Sequence, residues 1–437
     1  MTMWFDSSVI YQIYPLGAFG APYENDGKLV HRLARMEDWI KPLKKLGVKA
    51  VLFNPLFESS THGYTTKDMR KVDVRLGDND DLKKISEELH ENGIRLIFDA
   101  VFNHVGREFG PFQDVLKNRW NSPYKAWFNV NFDGNNSYND GLWYEGWEGH
   151  EELVKLNLNN PEVVQYLLDT VDFWIDEFGV DGLRLDVAYM LNKDFLKALR
   201  KHVKSRDPEF ALIGEMIHGD CKTIVNDEML DSATNYECYK GIYSSLNSKN
   251  FYEILYSFNR QFGKDPWCLY TGMNLMNFID NHDVSRIASI LERPELLEPA
   301  YVLLMTMPGV PCIYYGSEWG IKGDKKEGDP ALRPEIEQLE ENELTEFVEK
   351  LIDIRNETPA LQKGDYTQIA INNEYCIYQR ALDGERIWVC INISGNPGTL
   401  YVNEAGKATD LLTGKEVEFD HNFTIPANTC MILKLEN

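Results

Sequence analysis

Residues 161–186 read PEVVQYLLDTVDFWIDEFGVDGLRLD: a helix, a stop and a buried strand in one run. Val164, Leu167, Leu168, Val171, Ile175 and Phe178 recur at the spacing of one helix face. Asn160 stands where a cap is needed, and Pro161 fills a first position whose N–H would have no partner anyway. Gly179 supplies the left-handed residue on which helices stop. The strand that follows, Gly182 to Asp186, is apolar except for Arg184 and the closing acid.

The same grammar occurs twice upstream. Met36, Trp39, Ile40, Leu43 and Leu46 form a stripe that stops at Gly47 and leads to the apolar run Ala50 to Phe53. Leu82, Ile85 and Leu89 form another, which stops before Gly93 and leads to Ile94 to Ala100. Helix, glycine and short buried strand in alternation is the pattern of parallel βα units. Further strands are expected at Val9–Tyr14, Ala211–Gly214, Ser232–Tyr236, Leu275–Ile279 and Val310–Tyr315, which brings the count to eight. The expected fold is therefore an α/β protein built on a (β/α)8 TIM barrel.

Residues 105–158 break the rhythm: they are rich in Asn, Gly, Trp and Tyr and carry no long helical stripe. They read as a small subdomain inserted after strand 3. A helix over Leu344–Arg355 closes the barrel, and from about Gly364 short alternating runs such as Ile387–Ile393, Gly398–Val402 and Thr429–Leu435 indicate a C-terminal antiparallel β domain. The expected division is a catalytic barrel over 1–104 and 159–362, an inserted subdomain over 105–158, and a β-sandwich domain over 363–437.

Composition narrows the partners. A net charge of −24 repels phosphate backbones and anionic lipid, so neither nucleic acid nor a membrane is expected as partner. A neutral sugar meets no such barrier. The start, Met1 to Ile10, has no signal-peptide pattern, and the seven cysteines are scattered without a CxxC pair. A reducing cytoplasm is the expected location.

Catalytic groups of βα barrels sit at the C-terminal strand ends. Strand 3 ends in Asp99-Ala100-Val101-Phe102-Asn103-His104, strand 4 in Arg184-Leu185-Asp186, strand 5 in Gly214-Glu215 and strand 7 in Asp280-Asn281-His282-Asp283. Acids, two histidines and an arginine thus converge from four strands. Double displacement at an anomeric carbon needs two carboxyl groups about 5–5.5 Å apart, one to attack and one to protonate the leaving oxygen. Arg184 lies on the same strand face as Asp186 and is placed to hold it ionised, whereas a general acid such as Glu215 needs a raised pKa.

The segments DAVFNH (99–104), GLRLDVA (182–188), GEMIH (214–218) and FIDNHD (278–283) resemble, in order and spacing, the four signature regions of the α-amylase family, glycoside hydrolase family 13. The similarity covers the whole chain. It implies Asp186 as nucleophile, Glu215 as acid/base and Asp283 as the acid that binds and distorts the sugar being cleaved. It also implies that Arg184, His104 and His282 bond that ring or the nucleophile, and that Tyr64, in His62-Gly63-Tyr64, stacks beneath it. Asp329 and Arg333, in DPALR, are similar to a pair that grips the next sugar toward the non-reducing end. Met216 and His218 would face the leaving sugar. LVKLNLNNP (153–161) looks like the fifth region of the neopullulanase, cyclomaltodextrinase and maltogenic amylase branch.

The chain departs from that branch in two respects. Its first barrel strand begins at Val9, so the branch's N-terminal β domain and the dimer it supports are not expected, and oligomeric state stays open. Thr65 follows Tyr64 where many relatives have aspartate, with Asp68 three residues further on. Asn103 resembles a calcium ligand of some amylases, although no cofactor is required.

The implied activity is hydrolysis of α-1,4 bonds in maltooligosaccharides by a retaining mechanism, with α-1,6 bonds as a second candidate linkage. Glucanotransfer on the same machinery is the alternative, and a non-catalytic sugar-binding barrel is the distant one. No HExxH or GxSxG pattern supports a metallo- or serine hydrolase.

Overall fold

A computed structural model describes Met3–Glu436; Met1, Thr2 and Asn437, the outer ends of the expected barrel and β-domain ranges, lie outside the described residues. Eight strands form one parallel sheet: β1 (Ile10–Ile13), β2 (Ala50–Phe53), β3 (Arg95–Ala100), β4 (Gly182–Leu185), β5 (Ala211–Gly214), β6 (Ser232–Ala233), β7 (Met276–Phe278) and β8 (Val310–Tyr314). They pair in the order β6-β5-β4-β3-β2-β1-β8-β7. A single parallel bridge between Thr234 and Met276 joins the two ends, giving the barrel. Gly182 is needed where β4 meets β5, because a Cβ there would lie 2.8 Å from the Ala211 carbonyl oxygen.

The stops fall at the expected glycines. Gly47 and Gly179 cap their helices in the left-handed region, at φ 84° and 63°. The Asn160 side chain accepts from the Glu162 N–H, with Pro161 in the first turn. The buried stripe of Pro161–Phe178 differs from expectation: Val163, Leu167, Thr170, Val171, Trp174 and Phe178 face the barrel, while Val164, Leu168 and Ile175 are only partly buried. This helix is apolar over more than one face, so spacing alone does not select the inner one. The sixth strand is also shorter than expected, because the Asn235 side chain accepts from the Cys238 N–H and starts a helix at Tyr236.

Alternate strand residues fill the barrel interior. Ile10, Ala50, Leu52, Ile97, Ala211 and Ile213 belong to one buried cluster with Phe5, whereas Val51, Phe53, Leu96, Leu183 and Leu212 pack outward against the helices. The segment after β3 contains a nine-residue helix, Gly110–Asn118, that was not expected there. It also carries a three-stranded antiparallel sheet of His104–Gly106, His150–Lys155 and Gly146–Trp147.

The C-terminal part is a six-stranded antiparallel sheet from Asp365 to Leu435, covered by a two-stranded ribbon of Gly398–Tyr401 and Asn422–Ile425. One sheet face, with Tyr366, Tyr378 and Val389, joins the barrel core; the other, with Ile377, Trp388 and Leu433, packs on the ribbon. Arg380 reaches from this sheet to the carbonyls of Thr306 (2.7 Å), Leu361 (2.9 Å) and Gly364 (2.7 Å).

Candidate active site

The inward parity of the strands continues past their C-terminal ends. Ile97 is followed two residues on by Asp99, Gly182 by Arg184 and then Asp186, and Ile213 by Glu215. The result is a buried charge cluster centred on Arg184. Its Nη1 lies 2.7 Å from Asp99 Oδ1 and 2.9 Å from Asp186 Oδ1, and its Nη2 lies 2.6 Å from Glu215 Oε1. Three carboxylates therefore share the one guanidinium that was expected to hold Asp186 ionised.

That sharing sets the protonation of the pair. Burial pushes the Asp186 carboxyl well above the ordinary carboxylate range; Arg184 opposes this, while Glu215, Asp99 and Asp283 reinforce it. Burial likewise raises Glu215, with Arg184 opposing and Asp283 reinforcing. Two acids this close titrate as a unit, and both are held above the ordinary carboxylate range, Asp186 as well as the expected Glu215.

Glu215 is fixed from a second side, since its Oε2 accepts from the Val187 N–H at 2.9 Å. Val187 presents that N–H from a left-handed backbone at φ 48°, a conformation a β-branched residue adopts only under constraint.

Asp283 sits across the cleft and is a different kind of acid. Burial would raise it, but His282, Arg333 and Arg184 hold it at about 2. Its Oδ1 is 3.0 Å from Arg333 Nη2 and its Oδ2 3.0 Å from His282 Nε2. Arg333 also reaches Asp329 Oδ2 at 3.3 Å and lies over the Tyr14 ring at 4.7 Å, so the expected Asp329–Arg333 pair forms and extends to Asp283. Asp280, from the same strand end, is not in the cleft: it accepts from the Ile287 N–H (2.8 Å) and Ser317 Oγ (2.7 Å).

His282 and His104 are neutral. Desolvation lowers His282 to about 4 and His104 to about 3. His104 Nε2 is 3.8 Å from Asp186 Oδ2. Tyr64 donates to Asp99 Oδ2 at 2.9 Å and stacks on His282, with ring centroids 5.9 Å apart. His62 lies beside Tyr64, and the exposed His218 packs on Tyr189 at 4.9 Å, so both flank the cluster rather than enter it.

Two residues that orient this site were not foreseen. Gln12 Nε2 lies 3.0 Å from His282 Nδ1 and 2.9 Å from Asn54 Oδ1, and the Asn54 amide donates to Asp99 Oδ2 at 2.9 Å. With the Gln12 amide donating to Nδ1, the His282 proton sits on Nε2, which lies 2.5 Å from the Tyr64 hydroxyl oxygen and 3.0 Å from Asp283 Oδ2. The signal was present: Gln12 is a polar residue two places after Ile10, on the inward face. Trp147, from the inserted segment, stands 5.9 Å from the His104 ring.

Asn103 is buried, with its amide 3.1 Å from His104 Nδ1. Among the described residues, the one group of three His, Cys, Asp or Glu side chains whose ligand atoms lie close enough together to hold a metal ion is His31, Asp78 and Asp81. It is remote from Asn103 in sequence and is accounted for as a helix cap, with the Asp78 side chain accepting from the Asp81 N–H.

The model of the α-amylase catalytic domain matches residues 24–358. The chain belongs to the α-amylase family. It is a glycoside hydrolase, and the model of the cyclomaltodextrinase C-terminal domain matches residues 367–434. Among this family's members, a cyclomaltodextrinase from Thermoanaerobacter pseudethanolicus is 30% identical over 99% of the chain and 78% of its own length. A maltogenic α-amylase from Bacillus acidopullulyticus is 32% identical over 90% of the chain and 70% of its own length. A cyclic α-maltosyl-(1→6)-maltose hydrolase from Arthrobacter globiformis superposes with a TM-score of 0.83 at 25% identity, covering 99% of this chain and 100% of that one. Among the described residues no helix is long and apolar enough to cross a membrane.

Proposed function

We propose that this α-amylase-family enzyme hydrolyses α-1,4-glucosidic bonds of short maltodextrins with retention, through a glycosyl–Asp186 intermediate. The observation that carries this is the pairing of Asp186 and Glu215 on the two arms of the Arg184 guanidinium. It brings to one point the two carboxyl groups that a double displacement uses. The first step needs that composition: a carboxylate at the anomeric carbon and an acid at the leaving oxygen.

Glu215 gives its proton to the glycosidic oxygen as Asp186 attacks the anomeric carbon, and the C–O bond to the leaving sugar breaks. The resulting Glu215 carboxylate takes a proton from water, whose oxygen attacks the same carbon and releases Asp186. Asp283, ionised throughout at about 2, accepts hydrogen bonds from ring hydroxyls and opposes the positive charge that develops on the ring. Tyr64 and His282 form the floor under that ring, and His104 donates to it. Names of relatives, cyclomaltodextrinase and maltogenic α-amylase, support short or cyclic α-glucans as the substrate class. The name of an intracellular maltogenic amylase from Bacillus subtilis, 31% identical over 82% of the chain, supports action inside the cell.

The test is a product profile over maltotriose, panose, pullulan and β-cyclodextrin, with the anomer of the first product read by NMR. Release of the α-anomer from α-1,4 bonds is expected. Release of the β-anomer would overturn the double displacement.

A further inference from the structure

The loop before the first long helix carries a tyrosine whose exposure and fixation do not fit a surface residue. Tyr23 is 57% exposed. Yet its backbone is held from inside the protein: the guanidinium of the buried Arg75 donates to the carbonyls of Pro22 at 2.9 Å and Tyr23 at 2.7 Å. Arg75 is itself locked to Asp73 by contacts of 2.8 and 2.7 Å. Two residues on, the Asn25 amide donates to the Ser59 carbonyl at 2.8 Å, and the Asn25 N–H to that of Ser60 at 3.0 Å.

An exposed aromatic on a pinned backbone gives a rigid apolar face at little entropic cost on binding. The face borders a space. Tyr23, His62, Tyr14, Asp329 and Arg333 line a cavity of about 240 Å³, room for about eight waters, comparable to one glucosyl unit. Arg333 in its lining is bonded to both Asp283 and Asp329, so the cavity borders the cluster on the Asp329 side. Tyr23 stands at the rim, its ring 6.3 Å from that of His62.

We infer that Tyr23 is a specificity residue of this enzyme, the platform on which the second glucosyl unit stacks, counted from the cleaved bond toward the non-reducing end. This rests on the proposed function. Asp329 and Arg333 bond the hydroxyls of that unit, and Tyr23 covers its apolar face.

Two chromogenic substrates separate the unit from the chemistry. p-Nitrophenyl α-glucoside ends before Tyr23, and p-nitrophenyl α-maltoside reaches it. In Tyr23→Ala, kcat/KM for the maltoside falls about tenfold, the usual scale for truncating a contacting aromatic, while that for the glucoside stays within about twofold. Tyr23→Phe keeps the ring and restores the wild-type ratio. Equal loss on both substrates, or loss on neither, overturns the assignment. A wild type that cleaves neither substrate overturns the proposed function itself, a result distinct from an active enzyme that is indifferent to Tyr23.

Discussion

Arg184 Nη2 sits 2.6 Å from Glu215 Oε1, closer than either of its contacts with the other two acids. The arginine is thus as much a partner of the proposed general acid as of the proposed nucleophile. Removing it leaves buried carboxylates without a cation, a loss of about 3–5 kcal/mol for a broken buried pair. Arg184→Ala should therefore unfold at lower denaturant and lack activity. Arg184→Lys keeps the charge but cannot span both carboxyl groups, so it should stay folded and lose at least about a hundredfold in kcat/KM. Denaturant titration beside steady-state kinetics checks both, and a Lys variant with near-normal kcat/KM would contradict the bridging role.

Asp99 raises both members of the catalytic pair by repulsion and takes part of the Arg184 charge. Asp99→Asn removes the repulsion and frees the guanidinium, and both changes act in the same direction. Both limbs of the kcat/KM–pH profile should move to lower pH. A shift to higher pH, or a profile unchanged in position, would contradict this account.

His282 has a folded-state pKa of about 4, below the about 6.5 of an unfolded histidine. The sign follows from proton uptake: between those values the unfolded chain binds a proton that the folded one refuses. The stability from His282 is thus complete above pH ~6.5 and is lost as pH falls toward ~4, on the order of 3 kcal/mol in all. The stability gap between wild type and His282→Gln should narrow over that window, as urea unfolding at several pH values would reveal.

Glu318 works in the opposite direction. Burial raises its carboxyl to about 7, and its Oε1 accepts from the Tyr11 hydroxyl at 2.5 Å. A raised carboxyl contributes stability below its unfolded pKa and loses that contribution as pH climbs through 7. Glu318→Gln keeps an acceptor for Tyr11 and carries no charge, so it should be more stable than wild type at pH 8 and close to it at pH 5. A variant less stable at pH 8 would refute the burial argument.

The elements that could be read from sequence were those with local causes. Gly47 and Gly179 stop helices because of their own backbone freedom, and Asn160 caps because of its own side chain. The cluster acids were legible because strand parity carries them inward. Legibility failed where the cause is tertiary. Val163 and Val164 are chemically alike, and only the barrel decides which is buried. The helix Gly110–Asn118 buries just Phe112 and Val115, too few for a periodic signal. Gln12, Asn54 and Tyr23 each act through partners distant in sequence, such as His282 and Arg75.

Arg380 ties its strand to Thr306 and Leu361 by backbone carbonyls, with no carboxylate among the described residues in salt-bridge contact with it. A cation solvated in part by carbonyls of the barrel makes each half the other's solvent. Excising the terminal sheet would strand those carbonyls in the remaining core, so the two parts should melt in one calorimetric transition and be inherited as one unit.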